Sequence, residues 1–338
     1  MFDGAAPDQR WQLYRLLSEP TRLRLLALAA VEELSLGELA ELLEEPLPNL
    51  SRHAAPLRQA GILAERRQGT RTLVRLAEAA DSDPVLADAL RAGRELCSRD
   101  GSLARVPEVV RARDLRTREF FARPSSDEEA IRFAPELPAY LYALGRATSG
   151  DARALAVDAG TGDGVLLDVL APLFERVVAV DRSESQLARA RRRVEAHGYG
   201  NVELVLGELD ADAVLKRARG RADLVCASRM LHHAPLPRKT LEGLVELSRP
   251  GGRVLVLDYC RHADEALREQ KADIWMGFEA AELVAHARAL GLIEAEVTRV
   301  PPSYLASSPD GHVGWQVLLA RRPGGTKQAA RHGGVRGE

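Results

Sequence analysis

Cysteine is scarce in this 338-residue chain: Cys97, Cys226 and Cys260 are the only three, and none lies close to another. Their spacing excludes a disulfide framework and a Cys-rich zinc site, and it fits a reducing compartment. Long apolar runs are missing too. None approaches the roughly 18 residues that a membrane span needs. Residues 1–10 are polar and lack the apolar centre of a signal peptide. A cytoplasmic protein with no membrane partner is expected. Excess charge is absent as well: 47 Lys and Arg against 49 Asp and Glu leave a net −2. The chain as a whole therefore carries no nucleic-acid signature, although a local basic patch remains open to it. What is present is 46% apolar residues, enough for packed cores, and length enough for two domains.

The densest information lies in Val157-Asp158-Ala159-Gly160-Thr161-Gly162-Asp163-Gly164. An apolar run at 154–157 leads in and a helix-compatible stretch at 165–173 leads out. This pattern predicts a strand, a tight glycine turn and a helix start. Glycines let the backbone bend and approach a ligand where a Cβ would clash. A helix N-terminus offers free N–H groups to a polar or anionic ligand. Asp181 closes the next apolar run, 177–180, about 20 residues on, the spacing that puts a carboxylate on a ribose diol. Nicotinamide and flavin enzymes use a related pattern but want Gly or Ala where this chain has Val165.

Further segments follow in order. Gly207-Glu208 comes after a strand candidate at 202–206. A fourth candidate at 222–228 precedes Met230-Leu231-His232-His233. Arg249-Pro250-Gly251-Gly252 turns into a fifth. Together these resemble class I methyltransferases that use S-adenosyl-L-methionine. The resemblance implies an α/β, Rossmann-like, seven-stranded domain over 151–322, ending in an antiparallel pair at 293–300 and 313–319. It also implies roles. The backbone of Gly160, Thr161, Gly162 and Gly164 would approach the methionine portion and ribose. Asp158 would hold the amino group, and Asp181 the ribose hydroxyls, since a carboxylate is an acceptor-only fork. Arg182 and Leu209 would complete the pocket. Glu208 would either take the adenine amino group or cap the next helix. Ser228 and Arg229 would either lie beneath the reacting methyl or be structural.

Methyl transfer to a small-molecule acceptor needs alignment more than covalent help. A general base is needed only for a protonated acceptor. His232, His233 and His262 are candidates, with Tyr259 and Asp264 nearby; a structural role is the alternative. Trp275, Phe278 and Tyr304 could face the acceptor or belong to the core. No metal is expected: His232 and His233 are adjacent and should diverge, and no other metal spacing occurs.

The first eighty residues differ in kind. An acidic block from Glu32 to Glu45 precedes Arg52, Arg58, Arg66, Arg67, Arg71 and Arg75. Ser35 with Glu38 predicts a capping box. A turn at 44–48, a helix at 49–60 and Gly61 at its end follow. Runs at 62–67 and 71–76 around Gln68-Gly69-Thr70 read as a hairpin. Helix, turn, helix and basic hairpin form a winged helix-turn-helix. Ser18-Glu19-Pro20-Thr21-Arg22-Leu23, Asn49-Leu50-Ser51-Arg52-His53 and Leu57-Arg58-Gln59-Ala60-Gly61 resemble the ArsR family of bacterial repressors. The resemblance implies double-stranded operator DNA as partner. Asn49, Ser51, Arg52 and His53 would read bases or backbone, and Arg66, Arg67 and Arg71 would meet phosphates. Pro56 inside the proposed recognition helix departs from the pattern. The cysteines of metal-sensing members are absent from 35–43, which disfavours arsenite or zinc sensing there.

Between the two lies a helical segment, 81–150. Its first helix, at 87–96, is a candidate for packing on a partner chain in a homodimer. Its later helices are candidates for a cover over the substrate, with Ser126 a possible cap. The tail, 323–338, reads as disordered. The expectation is a small-molecule methyltransferase fused to an ArsR-type regulator. The competing function is a repressor whose second domain only senses S-adenosylmethionine or S-adenosylhomocysteine. A nicotinamide-binding regulator is a third reading, disfavoured by Val165 and the Arg249–Gly252 turn.

Overall fold

The computed structural model describes residues 7–77, 83–123, 135–148 and 152–324; Ser126 and the tail beyond residue 324 lie outside them. The chain divides after Arg116 into two compact units, with Ala263–Ala266 counted in the first.

In the first, α1 (Pro7–Leu17) and α2 (Pro20–Val31) precede β1 (Leu34–Ser35), α3 (Leu36–Leu43) and α4 (Leu47–Gln59). The hairpin β2 (Leu63–Gln68) and β3 (Arg71–Leu76) follows, then α5 (Pro84–Arg99) and α6 (Ser102–Ala122), within which the division falls. The capping box is present. Ser35 Oγ accepts the Glu38 N–H at 3.2 Å, and Glu38 accepts the Ser35 N–H at 2.7 Å. Glu44 takes a left-handed conformation, φ 55°, and turns the chain toward α4. That helix begins at Leu47, earlier than the spacing suggested, because Pro48 suits a first turn. Pro56 sits inside α4 without ending it. β1 joins β3 antiparallel, a third strand too short to leave a sequence pattern. Leu25, Leu26, Leu28, Leu39, Leu50, Leu57 and Val74 form the buried core.

Two features tie residues beyond 80 to this unit, so the boundary expected at residue 80 moves to Arg116. Arg113 of α6 grips Glu38 with two hydrogen bonds, 2.6 and 2.7 Å. Burial alone would raise the Glu38 pKa, but the Arg113 and Ser35 bonds outweigh it and hold the carboxylate below its usual range. The α5 face that was a candidate for a partner chain packs on α2 of the same chain. It buries Leu86, Ala89, Leu90, Gly93 and Cys97. A Cβ on Gly93 would stand 2.1 Å from the Leu23 carbonyl oxygen.

In the second unit, α7 (Leu137–Ala147) precedes β4 (Leu155–Ala159), α8 (Leu167–Leu173), β5 (Arg176–Asp181), α9 (Glu184–His197) and β6 (Val202–Leu206). Next come α10 (Asp212–Ala218), β7 (Ala222–Ser228), α11 (Pro237–Leu247) and β8 (Ser248–Tyr259). Then come α12 (Glu265–Lys271), α13 (Ala280–Ala289), β9 (Ile293–Arg299) and β10 (Trp315–Arg321). The seven strands lie in the order β6-β5-β4-β7-β8-β10-β9. β10 is antiparallel to both neighbours, whereas β4, β5, β6, β7 and β8 pair in parallel. Every residue of β4 is buried, as a central parallel strand requires. The chain winds outward from β4 to β6, then returns to β7 on the other side. The crevice at such a reversal is where open α/β sheets bind ligands.

Gly93→Ala should destabilise the first unit. The substitution gains roughly 0.5–1 kcal/mol of helix propensity, but overpacking costs about 1–3 kcal/mol. Calorimetry should show a lower melting transition; an unchanged or raised one would mean that α2 and α5 cross more loosely.

Candidate functional site

A cleft of about 1080 Å³ opens at the carboxyl ends of β4, β5, β6 and β7. Its floor is the glycine turn. Gly160, Gly162 and Gly164 all take positive φ, at 69°, 57° and 83°. At Gly160 a Cβ would also stand 2.5 Å from the Met230 side chain, so backbone and Met230 can meet only without one. The turn is longer than the sequence suggested: α8 starts at Leu167, and Gly164 N–H returns to the Thr161 carbonyl at 2.9 Å.

Two carboxylates organise the turn. Asp181, at the end of β5, accepts the Gly162 N–H on one oxygen and the Ser183 N–H on the other, both at 2.8 Å. Asp158, 1% exposed at the end of β4, accepts the Thr161 hydroxyl at 2.6 Å. Burial raises both pKa values, Asp158 to about 7, with Asp181 and Asp163 adding repulsion.

Asp158, Gly160, Thr161, Gly162, Asp181, Arg182, Glu208, Leu209 and Ser228 all line this one cleft; Gly164 lies behind it. Glu208 does not cap the following helix, whose N-cap is Ala211 with no side-chain cap bond. Its carboxylate meets Arg118 at 2.6 Å and Arg182 at 3.8 Å.

The histidines separate. His233 lines the cleft, while His232 and His262 do not. His232 is 1% exposed and bonds Asp258 through Nδ1 at 2.6 Å. Burial would lower its pKa, but Asp258 reverses the sign and raises it. Burial holds His233 well below the ordinary imidazole value. The expectation that these neighbours diverge fails. The short 3-10 turn Leu231–His233 folds them together, with ring centroids 4.1 Å apart. Trp275 and Phe278 belong to the core at 2% exposure; the Trp275 indole donates to the Ala234 carbonyl at 2.6 Å. Tyr304 lies against Tyr142 outside the cleft.

On the first unit, Asn49, Ser51, Arg52 and His53 occupy the first half of α4, with Arg52 exposed and bonded to Asn49. Arg67 and Arg71 are exposed on the hairpin. Arg66 is not: its guanidinium makes two bonds to Glu33, at 2.8 and 2.7 Å.

Residues 151–300 match the family described as a methyltransferase domain, and residues 17–66 match a helix-turn-helix domain. The chain carries a helix-turn-helix domain followed by a methyltransferase domain. The ubiquinone biosynthesis O-methyltransferase of Cupriavidus pinatubonensis is 34% identical over 101 residues, 30% of this chain and 39% of that one. The HTH-type transcriptional regulator KmtR of Mycobacterium tuberculosis is 40% identical over 65 residues, 19% of this chain and 50% of that one. The chain therefore spans half or less of the curated relatives it matches. Among solved structures, phosphoethanolamine N-methyltransferase 2 of Haemonchus contortus with S-adenosyl-L-methionine is 19% identical, at a TM-score of 0.49, over 61% of this chain and 60% of that one. Among the described residues no helix is long and apolar enough to cross a membrane.

The later helices of the segment 81–150, candidates for a cover over the substrate, contribute to the cleft through side chains that the sequence did not single out for it. Arg118, Phe120 and Phe121, from the end of α6, line it together with Tyr140 of α7. Phe121 meets His233 edge to face at 4.8 Å, and its carbonyl accepts the Ser183 hydroxyl at 3.0 Å. The adjacent phenylalanines, in a chain with only six, were the available signal. Arg229, expected with Ser228 either beneath the reacting methyl or in a structural role, also lines the cleft. It adopts φ 52° and pairs with Asp310 at 2.8 Å and Glu136 at 3.2 Å. Its guanidinium lies 4.8 Å from the centre of the Trp315 ring. A non-glycine residue held left-handed at a cleft is strain that its surroundings must enforce.

Asp158 gives this domain a pH signature. Its carboxyl binds a proton up to about pH 7 when folded but only to about 3.8 when unfolded. Between those values the native state holds more protons, so stability falls as pH rises. Asp158→Asn removes the penalty while keeping an acceptor for Thr161. The melting temperature of the variant should gain on wild type steadily from pH 4 to pH 8. A constant difference would mean that Asp158 ionises normally.

Proposed function

We propose that the methyltransferase domain binds S-adenosyl-L-methionine in the cleft and transfers its methyl group to a small aromatic acceptor. The helix-turn-helix domain, of ArsR type, binds operator DNA. The observation that carries the reading is the Asp181 carboxylate fastened to Gly162 across a glycine turn, at the point where the strand order reverses. The antiparallel β10 separates this sheet from the parallel dinucleotide-binding order. The chain's residues fit the cofactor. Asp158 is a buried carboxylate that an ammonium group would satisfy. Asp181 keeps lone pairs for a diol beyond its two backbone bonds. Gly160, Thr161 and Gly162 line the cleft, where their backbone can approach the chain of the ligand.

The cofactor supplies an already activated methyl carbon, so the protein's task is to align and to exclude water. A cleft of about 1080 Å³ lies at the upper end of ordinary ligand pockets, roughly 300–1,000 Å³. It has room for a cofactor and a small acceptor together. Phe121, Tyr140 and Tyr259 in its lining, and relatives named for ubiquinone biosynthesis, support a phenolic or quinol-like acceptor. For DNA, the first half of α4 would enter the major groove. Arg67 and Arg71 would meet phosphates, and Arg66 would hold the wing to Glu33. Trp11 and Tyr14, 62% and 53% exposed on α1, support a homodimer, since large exposed aromatics are enriched where protein partners meet.

Calorimetric titration should give one S-adenosylmethionine per chain. Asp181→Ala should weaken binding at least tenfold, about 1.4 kcal/mol. Wild-type affinity should fall as pH drops below about 7, where Asp158 takes a proton, and Asp158→Asn should flatten that dependence. Labelled methyl transfer to a panel of catechols and quinols tests the activity; tight binding without turnover on any acceptor would favour the sensor. Arg52→Ala should weaken specific DNA binding by about 1–3 kcal/mol if it reads a base. Equal loss on specific and random DNA would reduce it to a phosphate contact.

A further inference from the structure

Behind His233 lies a cluster that neither cofactor binding nor DNA binding uses. His232 and His233 close the turn after β7, and Asp273 lies between α12 and α13. Their candidate ligand atoms all fall within 4.8 Å of one another. Asp273 Oδ1 stands 3.7 Å from His232 Nε2 and 3.6 Å from His233 Nδ1. Both separations are too long for hydrogen bonds, since a side-chain contact at about 3.6 Å is not one. They are close to the spacing of two ligands on one ion. With metal–ligand bonds of about 2.0–2.2 Å, tetrahedral neighbours lie roughly 3.3–3.6 Å apart.

The unmet bonding potential points the same way. Both Asp273 carboxylate oxygens and His233 Nδ1 are buried, with no hydrogen-bond partner among the described residues. A buried carboxylate ordinarily has a partner or a metal. His232 is already oriented. Asp258 takes its Nδ1 at 2.6 Å, and the second Asp258 oxygen accepts the Leu231 and His232 backbone N–H groups at 3.0 and 3.3 Å. That leaves Nε2 turned to Asp273. A carboxylate fixing the far nitrogen of an imidazole is the usual support of a histidine ligand. Charge favours a cation too. Asp258 and Asp273 are both buried, while Arg229 is matched by Glu136 and Asp310.

We propose that His232, His233 and Asp273 bind one divalent transition-metal ion of the zinc class. Three protein ligands leave one position open, the pattern of reactive rather than structural zinc sites. His233 also lines the cleft, which gives the ion a route in and gives water or a ligand oxygen access to the open position. The proposal stands apart from the transferase reading and is tested without turnover.

The full chain, free of any purification tag and stripped with a chelator, is titrated with Zn²⁺ by calorimetry and with Co²⁺ by visible absorption. One ion per chain is expected, with the intense Co²⁺ bands of a four- or five-coordinate site. Asp273→Asn and His233→Ala should each weaken Zn²⁺ binding at least 100-fold. Asp258→Asn should weaken it about 10–100-fold, and His197→Ala should leave it unchanged. Circular dichroism checks that the variants fold; where one does not, the wild-type Co²⁺ spectrum decides. Folded wild type that takes up no ion, Co²⁺ bands of a weak octahedral site, or binding undiminished in both ligand variants would each overturn the assignment.

Discussion

The cleft depends on a carboxylate doing backbone work. Asp181 takes the Gly162 N–H with one oxygen and the Ser183 N–H with the other, so one side chain fixes both the turn after β4 and the entry to α9. The three positive-φ glycines would otherwise leave that turn many conformations. Ser183 passes the restraint on: it caps α9 through the Gln186 N–H and donates to the Phe121 carbonyl at the end of α6. Floor and rim are thus linked through two adjacent strand ends.

Such an arrangement costs stability, and Asp158 shows where. It is buried beside a second carboxylate, and desolvation pushes its proton affinity up to about pH 7. A chain selected for stability alone would place an uncharged residue there. The same logic applies deeper in the domain, at the unpartnered Asp273, and at Arg229, whose left-handed backbone is held by Asp310, Glu136 and the Trp315 ring. Local strain and buried charge gather around one cavity, as functional sites require.

Much of the fold was legible because its signals are local. The capping box at Ser35, the hairpin around Gly69 and the strand runs ending at Asp158 and Asp181 depend on residues a few positions apart. The glycine turn was readable for the same reason, together with the carboxylates that face it. Illegible features came from long-range contacts. Nothing near Arg66 in sequence indicates that Glu33 claims its guanidinium. Nothing near Gly93 shows that it is small because Leu23 passes against it. The resemblance made the end of α6 a candidate cover over the substrate, but only a pair of adjacent phenylalanines hinted at which side chains line the cleft.

By itself the sequence determined the two-part organisation, the order of strands along the chain and the identity of the groups at the first two strand ends, since periodicity and turn chemistry act over short spans. Tertiary structure decided which of those groups share a surface. It separated His233, on the cleft, from His232 behind it. It moved α5 and most of α6, as far as Arg116, into the first unit. It also brought Asp273 across some forty residues to two histidines that should have pointed apart. Adjacent side chains diverge in extended chain but not in a 3-10 turn closed against a buried aspartate, and that choice is made by packing, which no short stretch of sequence records.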